Sequence, residues 1–402
     1  MGYLHGIRIR EASGGAALAT GDTAVIGLVG TAPKGTVGQV KLITSLLAAQ
    51  TEFGNDIDGF TIPAALEVIF SEVNAKVLVV NVLATEKATA LLEATGKMLI
   101  GEDGIVATHI YKSILPTAVD YAAEIVKGLQ MLLNVDDALG VKPNIILAPG
   151  YSQIPAVLQS MVSSAEKLDG FAAIDIVADN VQAALAARNG DIYNTASSAA
   201  ILCYPLAKRL NIHENTTVTI GLSVYWALSK AKRDVEAGYW ISPSNSIINI
   251  SGTDVAISSS LTEESADTNL LNGSGIVTVF RKSGMGTRLW GNWTAAFPAT
   301  KTADGMIAPR STRMAIREAL IDAAITYLDK SATALTIDMI LSDVNSFLRS
   351  LIGKGAIVDG ECKWEEEKNT KNDIAQGKLS FTLRVKYAPS LDLLEFEEII
   401  DF

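Results

Sequence analysis

Cysteine and histidine, which most metal and redox sites require, are scarce in this chain. Two cysteines, Cys203 and Cys362, and three histidines, His5, His109 and His213, occur among 402 residues. Two cysteines so far apart do not form a disulfide framework, and no His-Glu-x-x-His or Cys-x-x-Cys spacing is present. We therefore expect no metal site, and reduced thiols in a protein made in a cytoplasm.

An excess of positive charge is also absent. The chain has 33 Lys and Arg against 44 Asp and Glu, a formal net charge of −11. Because phosphate backbones require a basic face and anionic membranes attract polybasic segments, we expect no nucleic-acid partner and no membrane-surface binding. No run of 18 apolar residues exists, so we expect no membrane insertion.

Catalytic motifs are missing as well. Gly27-Leu-Val-Gly30 follows an apolar run but lacks the third glycine of a dinucleotide-binding fingerprint. Gly353-Lys-Gly355 lacks both the hydroxyl residue and the upstream glycine of a phosphate-binding loop. No G-x-S-x-G elbow is present. We expect no catalytic residue and no cofactor, with an α/β enzyme kept only as an alternative.

Apolar residues are abundant in this chain. They make up 49% of the chain, and charged residues only 19%, below the roughly 25% typical of soluble domains. This composition fits a protein that buries large subunit interfaces, and it equally fits an ordinary Ala-rich α/β protein.

Residues 21–285 alternate apolar strands with amphipathic helices. The strands include 22–30 and 76–83, and the predicted helices include 152–168, capped by Ser152, and 219–236. Such alternation predicts an α/β domain whose mostly parallel sheet is covered by helices. Residues 84–115 are expected to form an insertion or a surface loop.

Residues 286–388 have a different pattern. Helices are predicted over 311–329 and over 336–352, the second closed by Gly353. Two strands with alternating apolar residues follow, and they predict an α+β domain with two helices and an antiparallel hairpin. The apolar face comprises Ala356, Val358, Cys362 and Trp364 on the first strand and Leu379, Phe381, Leu383 and Val385 on the second.

Short strand-like arms flank these domains, one within residues 1–20 and one at 389–402. The N-terminal arm sets Ile7 and Ile9 on one face and Arg8 and Arg10 on the other. The C-terminal arm alternates apolar Leu394, Phe396, Ile400 and Phe402 with acidic Glu395, Glu397 and Asp401. Because a detached strand needs a partner edge, we predict that the arms add to a sheet, with the hairpin strand carrying Leu379 to Val385 as the receiver.

Several segments, in this order, resemble the sheath proteins of contractile tails, found in myophages and R-type pyocins. The resemblance covers nearly the whole chain, and the family often has Arg where this chain has Trp293. The matching segments are His5-Gly-Ile-Arg-Ile, Ala24-Val-Ile-Gly-Leu-Val-Gly-Thr-Ala-Pro33, Leu42-Ile-Thr-Ser45 with Phe53-Gly54, Lys76-Val-Leu-Val-Val-Asn-Val82, Lys142-Pro-Asn-Ile-Ile-Leu-Ala-Pro-Gly150, Gly238-Tyr-Trp-Ile-Ser-Pro-Ser-Asn245, Gly275-Ile-Val-Thr-Val-Phe280, Leu289-Trp-Gly-Asn-Trp-Thr294 and Ala388-Pro389.

The resemblance implies a structural role in a phage virion. Sheath subunits stack as hexameric rings around a tail tube, between a baseplate and a tail terminator, and contract to drive the tube through the host envelope. It implies that the α/β domain lies outside, the C-terminal domain lies near the tube, and subunits assemble in the host cytoplasm. Another polymeric tail component is the alternative. Candidate contacts to an acidic tube are Arg313, Arg317, Arg349 and Lys354.

Overall fold

The computed structural model describes residues 24–83 and 121–400, which form two compact units. One unit contains residues 24–314 and 389–400, and the other contains residues 315–388. The predicted N-terminal arm, the predicted loop at 84–115, and Asp401 and Phe402 lie outside the described residues.

The strands of the described residues fall into one large sheet and two small ones. They are β1 (Val25–Gly30), β2 (Val40–Ile43), β3 (Lys76–Asn81), β4 (Ile145–Leu147), β5 (Phe171–Asp175), β6 (Ala200–Cys203), β7 (Ala207–Asn211), β8 (Thr216–Ile220), β9 (Gly252–Thr253), β10 (Ile276–Arg281), β11 (Thr287–Trp290), β12 (Ile357–Trp364) and β13 (Phe381–Tyr387).

The α-helices of the described residues connect these strands. They are α1 (Leu46–Phe53), α2 (Thr61–Phe70), α3 (Ala122–Met131), α4 (Asp136–Leu139), α5 (Pro155–Lys167), α6 (Val181–Arg188), α7 (Leu222–Glu236), α8 (Asp267–Asn272), α9 (Ile307–Ile325), α10 (Ala334–Gly353) and α11 (Lys371–Ala375). No helix in the described ranges is both long enough and apolar enough to cross a membrane.

The large sheet has eight strands in the order β11-β10-β6-β5-β4-β1-β3-β2. Its interior pairs, from β10 through β3, are parallel, and only the two edge strands β2 and β11 run antiparallel to their neighbours. The predicted mixed fold with a mostly parallel, covered sheet is confirmed.

Side chains of β1 show how helices cover this sheet on both faces. Ile26 and Leu28 belong to a core shared with α2 and α7, whereas Val25 and Val29 belong to a second core shared with α3 and α5. Gly128 lets α3 approach closely, because a Cβ there would lie 2.6 Å from Cγ1 of Val29. The period of two along a buried strand thus fills two separate cores.

The predicted cap at Ser152 is wrong. Helix α5 begins at Pro155, after Ile154, with proline at a first-turn position where its missing N–H costs no hydrogen bond. Ser152 is buried, and its Oγ accepts from the backbone N–H of Asp175 at 3.1 Å. A tertiary contact therefore takes the hydroxyl that local capping rules assigned to the helix.

The helix predicted to start at Thr219 begins later. Residues 216–220 are strand β8, which pairs with β7, and this β-branched run suits a strand. Gly221 lies between β8 and α7. A larger residue would not fit there, because a Cβ at that position would lie 2.0 Å from Oδ2 of Asp175. The antiparallel sheet β8-β7-β9 was not predicted.

The unit of residues 315–388 contains the predicted hairpin, in which β12 pairs antiparallel with β13 and helix α10 packs on β12. Gly353 is the last residue of α10 rather than its cap, and the left-handed conformation falls at Gly355, with φ of 74°. The predicted hairpin is confirmed, whereas the prediction that Gly353 caps the helix is wrong.

Val358 does not share a face with Cys362. A β-bulge between Ile357 and Asp359 adds one residue to β12, so the alternation changes phase there. Ile357 and Cys362 are buried, whereas Val358 is 49% exposed. The placement of Val358 on this face was wrong because a strict period of two cannot anticipate a bulge, whereas Ala356 is buried.

Candidate assembly interface

The two strands of the hairpin present an apolar face that the chain itself leaves partly uncovered. Trp364 lies opposite Phe381 and Cys362 opposite Leu383 in the register. The rings of Trp364 and Phe381 pack edge to face at 5.5 Å. Leu383 is still 37% exposed, and the other predicted receiving residues, Leu379, Phe381 and Val385, are half-buried.

Side chains close the outer edge of β12. Asn345 of α10 donates from Nδ2 to the carbonyl of Cys362 at 2.9 Å and accepts at Oδ1 from the N–H of Cys362 at 2.9 Å. Asp359 Oδ1 accepts from the N–H of Gly360 at 2.9 Å. Backbone groups that a further strand would need are therefore already bonded, a common protection of edge strands.

The outer edge of β13 has the opposite character. Because the backbone groups of Cys362 point away from β13, Cys362 and Leu383 form a non-hydrogen-bonded pair. By the same alternation, the N–H and C=O of Phe381, Leu383 and Val385 point to the outer side of β13. Within residues 24–83 and 121–400, β13 pairs with β12 alone.

The polar face of the hairpin carries rows of opposite charge. Asp359 lies opposite Lys386, and Glu361 lies opposite Arg384. Asp359 and Glu361 form an acidic pair on β12, next to Lys363, which lies 2.9 Å from Glu361, whereas Arg384 and Lys386 form an exposed basic row on β13. The open edge of the hairpin is thus its basic edge.

The C-terminal segment belongs to the other unit, and residues 391–400 form neither helix nor strand there. Every residue of this stretch is exposed, and Phe396 is 87% exposed. Predicted arm residues Leu394, Glu395, Glu397 and Ile400 share this exposure. Apolar side chains this exposed in a row are typical of an interaction segment.

The predicted tube contacts differ in their surroundings. Arg313 is partly buried, and its Nη1 lies 3.5 Å from Oδ1 of Asp304. Arg317, Arg349 and Lys354 are exposed, the last two close to or just beyond the end of α10. The role of all four as tube contacts stays a prediction.

The residues that set the character of the two hairpin edges were missed by sequence reasoning. Asn345 lies on the buried side of α10, next to Val344 and near Leu348. A lone amide beside the apolar stripe of a helix was the available signal, because such a group needs a hydrogen-bond partner when buried. Its actual partner, the backbone of a strand 17 residues later, could not be read from the pattern.

Comparison with known proteins shows the family of this chain. Residues 124–295 match the family model of the phage tail sheath protein central domain, and residues 23–82 match that of the tail sheath protein Gp18 domain III N-terminal region. The tail sheath protein of Burkholderia phage BcepMu is 30% identical over 460 residues, covering 98% of this chain and 96% of that protein. The chain belongs to the phage tail sheath family. The tail sheath protein of Escherichia phage P2 is 26% identical, covering 99% of this chain and 96% of that protein.

Solved sheath structures share the fold. The helical sheath of the anti-feeding prophage in its contracted state aligns with a TM-score of 0.71 at 17% identity, covering 100% of both chains. The sheath complex of the extracellular contractile injection system PVC, also contracted, aligns with a TM-score of 0.68 at 15% identity, covering 100% of this chain and 99% of that one.

This sheath subunit is a structural protein of contractile tails and not an enzyme. Within the described residues, no group of three or more His, Cys, Asp or Glu side chains could hold a metal ion. Burial raises the pKa of both thiols, Cys203 and Cys362, which keeps them protonated.

Proposed function

We propose that this sheath subunit polymerises as stacked hexameric rings around a tail tube, between a baseplate and a terminator, in a phage virion assembled in the host cytoplasm. Contraction of the polymer then drives the tube through the host envelope. The names of the related structures, a contracted helical sheath and a baseplate of the anti-feeding prophage, support polymer and baseplate association. Exposed Arg317, Arg349 and Lys354 are the proposed contacts to an acidic tube, together with the partly buried Arg313, four residues before Arg317.

Subunits are joined, in this proposal, by terminal segments that add strands to the hairpin of a neighbouring copy. The observation that carries it is the difference between the two hairpin edges. Asn345 and Asp359 occupy the edge of β12, whereas the outward backbone groups of β13 at Phe381, Leu383 and Val385 are available to a new strand. Strand addition uses such groups for affinity and alternate side chains for specificity.

Charge selects which segment lies next to β13. A strand whose apolar face continues that of Leu383 places its other face beside Arg384 and Lys386. The C-terminal segment offers Glu395 and Glu397 there, whereas the N-terminal segment would offer like charges. Opposite cross-strand charges contribute about 0.2–1 kcal/mol per pair, and like charges destabilise.

The N-terminal segment then fits outside the C-terminal one. Its Arg8 and Arg10 would face the acidic row of Glu395 and Glu397. The resulting four-stranded sheet has rows of alternating sign, starting from the acidic pair of β12. Backbone hydrogen bonds and apolar burial supply most of the attachment, and charge sets the order and register.

Two adjacent isoleucines provide the sharpest test. Ile400 lies on the predicted apolar face with Phe396, whereas Ile399 lies on the charged face, and both are exposed in the isolated chain. We expect Ile400→Asp to abolish the striated tubes seen by negative-stain electron microscopy, because it buries a carboxylate against β13 of the neighbour. Ile399→Asp, the matched control, should leave the tubes intact.

Circular dichroism should be unchanged in both variants, since neither side chain is buried in the chain itself. Equal behaviour of the two variants would contradict the strand alternation. Deleting residues 391–402 or residues 1–12 should give folded, unassembled chains, and normal tubes from either deletion would contradict the joining role of that arm.

A further inference from the structure

One carboxylate attaches the C-terminal segment to the larger unit. Oδ1 of Asp392 accepts from Nδ2 of Asn292 at 2.9 Å, and Oδ2 accepts from Nε1 of Trp293 at 2.9 Å. Each oxygen of the carboxylate has its own donor, so the side chain is fixed in both position and orientation. Hydrogen bonds to charged groups are stronger than those between neutral groups.

The donors belong to a rigid part of the fold. The carbonyl of Asn292 accepts from the N–H of Ile307 at 2.9 Å, which joins the loop after β11 to the start of α9. Two residues past Trp293, the N–H of Ala295 donates to the carbonyl of Ala200 at the first residue of β6. The loop that holds Asp392 is therefore tied to the eight-stranded sheet.

Aromatic packing holds the indole in place. The ring of Trp293 lies 4.4 Å from the ring of Phe297, and its backbone forms a bridge with Met306. The indole N–H is the part of the Trp293 side chain that faces Asp392. Replacing Trp293 by Phe would remove this donor and keep an aromatic ring over Phe297.

Asp392 differs from the equally exposed residues beyond it in the two hydrogen bonds that its carboxylate accepts. Residues 393–400 are all exposed and contain no helix or strand. Asp392 thus separates a fixed position from an extended stretch of exposed apolar and acidic residues.

We propose that Asp392, held by Asn292 and Trp293, is a positioning residue that fixes the point from which the C-terminal segment leaves its own subunit. The role of the segment beyond it rests on the proposed function, whereas the attachment itself does not. Eight residues lead from Asp392 to Ile400, and an extended chain of that length reaches about 28 Å. The surface of the neighbouring copy that Ile400 contacts must lie within this distance of Asp392.

The attachment can be observed directly in the full chain labelled with 5-fluorotryptophan. The chain has 5 tryptophans, and Trp293→Phe assigns the signal of Trp293 in the fluorine NMR spectrum. We expect Asp392→Ala to shift that signal and Glu264→Ala, the loss of one exposed carboxylate elsewhere in the larger unit, to leave it in place. The spectrum is recorded in solution for dispersed chains and with magic-angle spinning for pelleted polymer. An unchanged Trp293 signal in Asp392→Ala overturns the proposal.

The positioning role has a second readout, the lowest chain concentration at which polymer sediments. Asp392→Ala should raise this concentration several-fold over Glu264→Ala. Because Asp392 and Trp293 act through one another, the double variant with Trp293→Phe should be no worse than Asp392→Ala alone. Two outcomes overturn the positioning role. One is a double variant whose polymerisation concentration rises by the product of the two single effects, and the other is an Asp392→Ala concentration equal to that of its control.

These outcomes stay distinct from failure of the proposed strand addition. If Asp392→Ala shifts the fluorine signal and weakens polymer while Ile399→Asp and Ile400→Asp behave alike, the attachment stands and the contact with β13 is wrong. If the isoleucine pair behaves as expected and the fluorine signal does not move, strand addition stands and the attachment is wrong.

Discussion

Strands β3 and β13 have similar apolar content but opposite surroundings. β3 lies between β1 and β2 in the large sheet, and five of its six residues are buried. Among the residues that the structure describes, β13 has β12 on one side only, and none of its seven residues is fully buried. The first region is complete within one chain, whereas the second has an edge and a face that another chain can complete. Substitutions in the two regions should therefore affect different measurements, folding in one case and assembly in the other.

Arg188 should give the largest effect on folding. Its guanidinium is buried and donates to backbone carbonyls at distances of 2.8–3.2 Å, those of Tyr193, Ser274, Ala295 and Phe297. Arg188→Met leaves these carbonyls without their donor, so we expect the free energy of unfolding in urea to fall by about 3 kcal/mol or more. Arg188→Lys, which keeps the charge but lacks the planar fork, should recover only part of it. If Arg188→Met lowers the free energy of unfolding by less than about 1 kcal/mol, the expected contrast between a region that controls folding and one that controls assembly is contradicted.

Asp175 should make the stability of the large unit depend on pH. Burial raises the pKa of Asp175 from 3.8 to about 6, although hydrogen bonds from Ser223 oppose the shift. The folded chain therefore binds the proton more tightly than the unfolded chain, and this stabilisation is complete below pH 4 and lost as the pH rises through 6. The shift corresponds to about 3 kcal/mol.

Asp175→Asn imitates the neutral form of the carboxyl group. We expect its free energy of unfolding to increase relative to that of the unchanged chain as the pH rises from 4 to 7, by up to about 3 kcal/mol, because the unchanged chain loses stability over this range. Urea titrations at four pH values measure this difference. A difference that does not vary with pH would show that Asp175 is ionised throughout.

Asn345 should give an intermediate effect in the unit of residues 315–388. Asn345→Ala leaves the N–H and carbonyl of Cys362 without their side-chain partner, and we expect a loss of about 1–2 kcal/mol. Hydrogen exchange at the amide of Cys362 should accelerate. Asn345→Asp keeps the acceptor for that amide and serves as the control, so equal exchange in both variants would contradict this role.

Opening the edge of β12 also bears on assembly. If closure by Asn345 restricts strand addition to β13, tubes from Asn345→Ala should be mixed with irregular aggregates in electron micrographs. Regular tubes alone would mean that the bulge and Asp359 suffice to protect this edge.

Leu383 should give the smallest effect on folding. Because this side chain is already 37% exposed, we expect Leu383→Ala to change the unfolding free energy by less than about 1 kcal/mol. The concentration needed for polymer should nevertheless rise, since the lost area is proposed to be covered by a neighbour. An unchanged concentration would place the intersubunit contact elsewhere.

Periodicity predicted the elements that are long and regular. Apolar runs such as 76–83 gave the strands of the parallel sheet, and alternation over 378–387 gave the second strand of the hairpin, because a strand buried on one or two faces leaves that pattern in the sequence. The same method placed a cap at Ser152 and a helix start at Thr219, where a contact with Asp175 decides the local structure. Local rules cannot include a residue of another strand whose backbone N–H or carboxylate lies next to the segment.

The sequence by itself determined the fold class, the absence of catalytic motifs and the alternating pattern of the arms, since each depends on residue type and spacing along the chain. Only the tertiary structure decided which hairpin edge is closed and where the C-terminal segment is attached. Asn345 bonds a strand 17 residues away, and Asp392 bonds a residue 99 positions away. Contacts of this kind depend on how distant elements pack, and polar side chains at single positions carry no periodic signal of their partners.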